Sequence, residues 1–249
     1  MRILVLGTSG TTGTTLSDPS RSWPARLAGE LEPVLGTVEV ESRNYFPNGS
    51  PALSFLERTL AAARPDVVLA HPSTYAFTVT DVAYAVRDRF GERAERLFES
   101  AEARFRGLAR ETGRAGEGAE GGARRIARKV FGRAPMLSEA VATETWLKTL
   151  DRLAQHEAVQ TFAHAPFKKV AGYAALYPES VVIRDRFTKT FQERALSHRF
   201  GWIDVEPSIA AAPGGREACF QPDLVHRNEL GHDVTLRFVV ETLLRELAR

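Results

Sequence analysis

A single cysteine, Cys219, occurs in the 249 residues of this chain. One thiol excludes an internal disulfide and a cysteine-built metal site, and it agrees with a reducing compartment. Nowhere is there an apolar run of eighteen residues, so no membrane-spanning helix is predicted. Between Arg2 and Gly7 stand only Ile3 to Leu6, far too little for the core of a signal peptide, and a cytoplasmic location is expected. Lysine is missing until Lys129. That absence removes a Walker-type phosphate loop at the N-terminal glycines, because the lysine of that loop must reach the β- and γ-phosphates.

An excess of either charge is lacking too: 33 Lys and Arg stand against 31 Asp and Glu, for a net +2. The small excess is local. From Arg87 to Arg133 there are 13 basic and 8 acidic residues, so this segment is +5 and the rest of the chain is −3. The segment is of mixed sign, which reads as a solvated helical face, Arg124, Arg125 and Arg128 included, and not as a nucleic-acid surface.

What is present is an alternation of strand and helix signals. Arg2 to Leu6 is a short β-prone apolar run, of the kind buried on both faces in a parallel sheet. Ser17-Asp18-Pro19 then offers a cap and a proline for a helix start, followed by Trp23, Leu27 and Leu31 at helical spacing. Further strands are expected at 37–41, 66–70, 158–163 and 201–205, with helices at 51–63, 138–156 and 186–198 and a last one capped by Asn228. This rhythm predicts an α/β fold, a three-layer sandwich of about five parallel strands, flavodoxin-like in outline, forming one domain over 1–249. From Val82 to Leu108 apolar residues recur every three or four positions, predicting one long amphipathic helix. With the Gly- and Glu-rich stretch 113–122 and a helical pattern near 123–131, it reads as a helical insertion or lid over about 87–135.

The stretch Gly7-Thr8-Ser9-Gly10-Thr11-Thr12-Gly13 follows the first strand. Its three glycines fit the turn of a dinucleotide-binding fold, with Glu39 or Glu41 toward a ribose hydroxyl. An NAD(P)-binding oxidoreductase is therefore one alternative, although none of the five tyrosines has a lysine four residues on. The other use of such a turn is to present Ser9 as a nucleophile, which needs a base and an orienting acid. Asp223 and His226, three apart before the last helix, have the spacing for the carboxylate to curl back to the imidazole. Parallel strands bring their C-terminal ends to one edge, where chain ends distant in sequence meet.

On these residues the chain resembles the SGNH, or GDSL, hydrolase superfamily. Its first block, Gly-Asp-Ser-x-x-x-Gly after strand one, matches Gly7-Thr8-Ser9 through Gly13, with Thr8 in place of the aspartate; its last block, Asp-x-x-His, matches Asp223 to His226. The resemblance covers about 1–80 and 157–249. It implies a serine esterase or acyltransferase acting on a small-molecule or carbohydrate ester, without a cofactor, nucleic acid or membrane span. Ser9 is then nucleophile, His226 base and Asp223 orienting acid, with an oxyanion hole from the backbone of Ser9 and Gly49. After strand three the family's Gly-x-Asn is replaced by His71-Pro72-Ser73, leaving Ser73 to stand for the asparagine. Thr8, His71, Thr74 and His164 are candidate pocket residues. A metal held by His71, His164 and His226 is permitted by spacing, but no positive signal supports one. His232 and Cys219 read as structural. Loss of the asparagine leaves a further alternative, a catalytically degenerate binding protein of the same fold.

Overall fold

Residues 2–6 fill the centre of a sheet because every side chain from Ile3 to Leu6 is buried, as strand-forming residues covered on both faces must be. The computed structural model describes residues 1–111, 129–168 and 170–247. These form two compact units, Met1–Thr74 with Glu139–Arg249, and Tyr75–Ser138.

In the first unit, β1 (Arg2–Gly7) is followed by a one-turn helix, α1 (Ser9–Thr12), and by α2 (Trp23–Leu35); β2 (Glu39–Asn44), α3 (Ser50–Ala63) and β3 (Val67–Ala70) complete the first half. The second unit holds α4 (Tyr75–Thr78), β4 (Thr80–Asp81), α5 (Val82–Phe90), α6 (Glu92–Glu111) and β5 (Ala134–Pro135), with β4 and β5 antiparallel. The first unit resumes with α7 (Glu139–Ala154), β6 (Gln160–His164), α8 (Ala171–Leu176), α9 (Pro178–Ser197), β7 (Gly201–Ile203), α10 (Glu206–Ala210) and α11 (Glu229–Leu247). Its sheet has the order β2-β1-β3-β6-β7, and all four pairings are parallel. Counted within the sheet this is 2-1-3-4-5, the flavodoxin-like order, with its switch point between β1 and β3.

One face of the sheet, carrying Ile3, Val5, Val67, Leu69, Phe162 and Ile203, packs on Trp23, Leu27 and Leu31 of α2 and on Leu236, Val239 and Leu243 of α11. On the other side Tyr45 lies 4.9 Å from the Trp146 ring of α7 and gives or accepts a 2.6 Å hydrogen bond with Thr149. Trp146 in turn meets Phe191 of α9. Burying a large apolar side chain contributes about 1.5–3 kcal/mol. These two layers therefore hold the strand ends on which the candidate site sits.

Several boundaries differ from the expected ones. The single long helix from Val82 to Leu108 is two helices, α5 and α6, because Gly91 takes φ +85° and its N–H closes on Arg87, ending α5. Asp18 and Pro19 start only a 3₁₀ turn, Pro19–Arg21, whose Asp18 carboxylate accepts from the Ser20 N–H at 2.9 Å; α2 begins four residues later. Helix α9 begins at Pro178, a residue pre-set for a first helical turn, and not at Arg186. The expected insertion 87–135 falls within the second unit, while the Gly- and Glu-rich stretch and Arg124, Arg125 and Arg128 lie outside the described residues. No helix among the described residues is long and apolar enough to cross a membrane.

Candidate active site

Gly7 ends β1 under the side chain of Thr11, where an added Cβ would lie 2.6 Å from the Thr11 Cβ; only glycine fits that approach. The chain then turns once. Thr8 is extended, its carbonyl accepts from the N–H groups of Thr11 and Thr12 at 2.8 and 3.0 Å, and Gly13 closes the turn at φ +68° with its N–H on the Ser9 carbonyl. The N–H groups of Ser9 and Gly10, first in this turn, donate to no acceptor among the described residues. Ser9 is half-buried at the C-terminal edge of the sheet.

The other end of the chain reaches the same edge through a narrow loop. Phe220 and Arg227 bridge its neck, the Gln221 N–H donates to the His226 carbonyl at 2.8 Å, and Leu224 at the tip adopts φ +61°. Below the neck, the Asn228 side chain accepts from the Gly231 N–H at 3.1 Å, capping α11 as expected, and donates to the Ala218 carbonyl at 2.7 Å. Within the loop, Asp223 Oδ1 accepts from the N–H groups of Val225 and His226, both at 2.9 Å. Its Oδ2 is 2.7 Å from His226 Nδ1, and His226 Nε2 is 3.2 Å from Ser9 Oγ. A carboxylate only accepts, so Nδ1 carries the ring proton and Nε2 is left to accept from the Ser9 hydroxyl. Partial burial raises the Asp223 carboxyl, but the hydrogen bonds from the His226 N–H, the His226 ring and the Val225 N–H outweigh it and hold the group below the usual aspartate value. Asp223 therefore stays ionised, the form that favours an imidazolium beside it.

His71 and His164, expected as pocket residues, lie under the turn in the interior. Both are buried, with ring centroids 4.2 Å apart. Thr11 Oγ1 is 2.5 Å from His71 Nδ1, which ties the end of β3 to the turn that carries Ser9. His164 Nδ1 donates to the Ala165 carbonyl at 2.8 Å. Burial, then the neighbouring His164, Arg227 and His232, hold the His71 pKa well below the ordinary histidine value. Burial likewise takes His164 down to about 3, against the Ala165 hydrogen bond and with help from Arg227, and His232 down to about 2. His232 accepts the Trp23 N–H at 3.2 Å, a packing role. The three imidazoles weighed for a metal do not act together, since His226 is committed to Ser9 and Asp223; no group of three His, Cys, Asp or Glu among the described residues could hold an ion.

Gly49 and Ser73 follow β2 and β3 at the edge where Ser9 follows β1. The Gly49 N–H donates to Thr145 Oγ1 at 2.9 Å. Ser73 is half-buried and Thr74 buried.

No protein-family model and no curated protein sequence matches the chain. Solved structures do. The lipase/acylhydrolase from Enterococcus faecalis superposes with a TM-score of 0.60 at 16% identity, over 99% of this chain and 97% of that one. The psychrotrophic esterase EstA from Pseudoalteromonas sp. gives 0.58 at 11%, over 100% and 99%. The acetylxylan esterase Axe2 from Geobacillus stearothermophilus gives 0.54 at 13%, over 97% and 93%. The chain has the SGNH-hydrolase fold. In this SGNH frame the four-residue helix after β1 also weighs against a dinucleotide turn, which needs a full helix to face a pyrophosphate.

Three side chains around the candidate site escaped the sequence reading. Gln221 donates to the Thr15 carbonyl and hydroxyl, both at 3.1 Å, clamping the histidine loop to the segment after α1. Thr11 carries the His71 contact, and Arg227 passes under the turn. None has a sequence signal, since a threonine in a small-residue turn and an arginine beside a histidine both read as ordinary surface chemistry.

Proposed function

We propose that the protein is a serine hydrolase or acyltransferase acting on a small-molecule or carbohydrate ester through an acyl-enzyme. The observation that carries this reading is the unbroken line Asp223 Oδ2, His226 Nδ1, His226 Nε2, Ser9 Oγ, at 2.7 and 3.2 Å. The esterases and acylhydrolase of the same fold support it. Ser9 Oγ attacks the ester carbonyl carbon as its proton passes to His226 Nε2. His226 then protonates the departing alcohol oxygen, and the acyl group remains on Ser9. Water, deprotonated by the same nitrogen, releases the acid; an acceptor alcohol in place of water makes the reaction a transfer. Asp223 stabilises the imidazolium throughout, and no cofactor enters.

For the oxyanion the Ser9 N–H is a ready donor. Gly49 can serve only by exchanging Thr145 for the substrate oxygen. Ser73 supplies a hydroxyl where the SGNH family places an amide, and a hydroxyl on the shorter serine side chain is the donor with less reach. Removing one oxyanion donor typically costs about 10²–10³ in rate. Ser73→Asn is therefore expected to raise kcat on p-nitrophenyl acetate or butyrate by about tenfold or more. Steady-state kinetics on both proteins tests this. If neither turns over while both remain folded, the catalytically degenerate reading, favoured by the Gly49–Thr145 bond and the missing asparagine, takes its place.

A further inference from the structure

Arg227 is 2% exposed and directly follows His226. Its guanidinium donates from Nη2 to the Gly10 carbonyl at 3.0 Å and from Nη1 to Thr235 Oγ1 at 2.5 Å, and lies 3.8 Å above the Phe167 ring. Thr235 passes its own proton to the Gly231 carbonyl at 2.7 Å, so its oxygen is free to accept from the arginine. Gly231 makes room for the stem: a Cβ there would lie 3.0 Å from the Arg227 Cβ. No ion pair joins Arg227 to a carboxylate among the described residues, and its surroundings include the buried imidazoles of His71, His164 and His232.

A buried cation with no anion is costly, and replacing buried charge with an apolar side chain of similar volume is often neutral or stabilising. Stability alone therefore gives no account of Arg227. Its contacts do. One hand holds the carbonyl of Gly10, the residue after Ser9; the other holds α11; its backbone is the next peptide after His226. From the interior the guanidinium ties the histidine loop to the nucleophile turn, while Gln221 clamps the same loop to Thr15, just after that turn. Burial lowers Arg227 to about 9, which leaves it charged at neutral pH and able to make these bonds.

We infer that Arg227 is a positioning residue that presets the Ser9–His226 hydrogen bond by fixing the His226 loop to the Gly10 carbonyl. The inference rests on the hydrolase reading above. A misplacement of about 1 Å costs about 10²-fold in rate. R227M, similar in volume and uncharged, is expected to lower kcat about 10- to 100-fold, with KM within about threefold of wild type and a thermal midpoint unchanged or higher. R227K keeps the charge and one of the two bonds, so it should recover part of the lost kcat. A merely structural arginine would instead lose midpoint and activity together, with lysine no better than methionine; that result, or wild-type kcat in R227M, overturns the inference. Crystal structures of wild type and R227M separate this from failure of the hydrolase reading. The Ser9 Oγ to His226 Nε2 separation should lengthen beyond hydrogen-bond range in R227M whether or not either protein turns over ester, and an unchanged separation overturns the inference. An inert, well-folded wild type counts against the hydrolase reading alone.

Discussion

Ser9→Ala is expected to reduce turnover of p-nitrophenyl esters by about 10⁴–10⁶, because removing the nucleophile of a triad leaves only binding and oxyanion stabilisation. Fold and stability should be unchanged, since Ser9 is half-buried and, among the described residues, its one side-chain hydrogen bond is the 3.2 Å bond to His226. Asp223→Asn probes the same line differently. An amide in place of the carboxylate offers a donor toward Nδ1, favouring the tautomer that protonates Nε2, and about a 10⁴-fold loss in kcat follows. The loss should exceed any change in KM. Steady-state kinetics of the two variants beside wild type, with circular dichroism to verify folding, reads both effects. A Ser9→Ala protein as active as wild type would mean that the chemistry lies elsewhere.

The second large effect is on stability against acid. His71, His164 and His232 are buried neutral, with pKa values held far below the ordinary 6.5, for His164 at about 3 and for His232 at about 2. Burial is the leading cause for each, with the charge of Arg227 acting in the same direction. Below 6.5 the unfolded chain binds protons at these positions and the native protein does not, so stability falls as pH falls. It is fully present above the ordinary histidine value and continues to drain until the native imidazoles themselves protonate. Each such group steepens the dependence by about 1.4 kcal/mol per pH unit, or about 4 kcal/mol per unit for the three. A domain stable by roughly 5–15 kcal/mol should then lose that margin over about 1–4 pH units below 6.5. Urea unfolding from pH 8 to pH 5 should show stability dropping steeply below about 6.5. A flat profile between pH 7 and 5 would show that these imidazoles are solvated or paired in a way that lets them charge. Asp223 adds a smaller fall at lower pH, since its depressed carboxylate contributes stability that disappears as pH drops through its native value.

The parts of the fold legible in the sequence are those where one physical demand dominates. Strand β1 reads directly because it is buried on both faces, and the α2 stripe of Trp23, Leu27 and Leu31 reads because it meets the sheet. The Asp223 to His226 spacing reads because the loop closes on itself through hydrogen bonds only a few residues apart. Where two demands compete, pattern fails. The periodicity from Val82 to Leu108 is real on both sides of Gly91, but the backbone turns left-handed there and splits the helix. The two-residue strands β4 and β5 have no period to detect. Arg227 is the clearest loss, as its neighbours Gly10, Phe167 and Thr235 are scattered along the chain and arginine is rarely buried without an acid. His71, aligned with a glycine of the SGNH pattern, was open to a role at the pocket; it is instead a buried strut whose partner, Thr11, sits in the same turn as Ser9.

The central claim is that Ser9 is a nucleophile activated by His226 and Asp223. Reaction of the folded protein with a fluorophosphonate, followed by peptide mass spectrometry, tests it most directly, because the probe needs an activated serine and not a matching substrate. The account predicts a single adduct on Ser9, formed far more slowly in His226→Ala. A folded wild type that takes no label, or takes it on another residue, would contradict it.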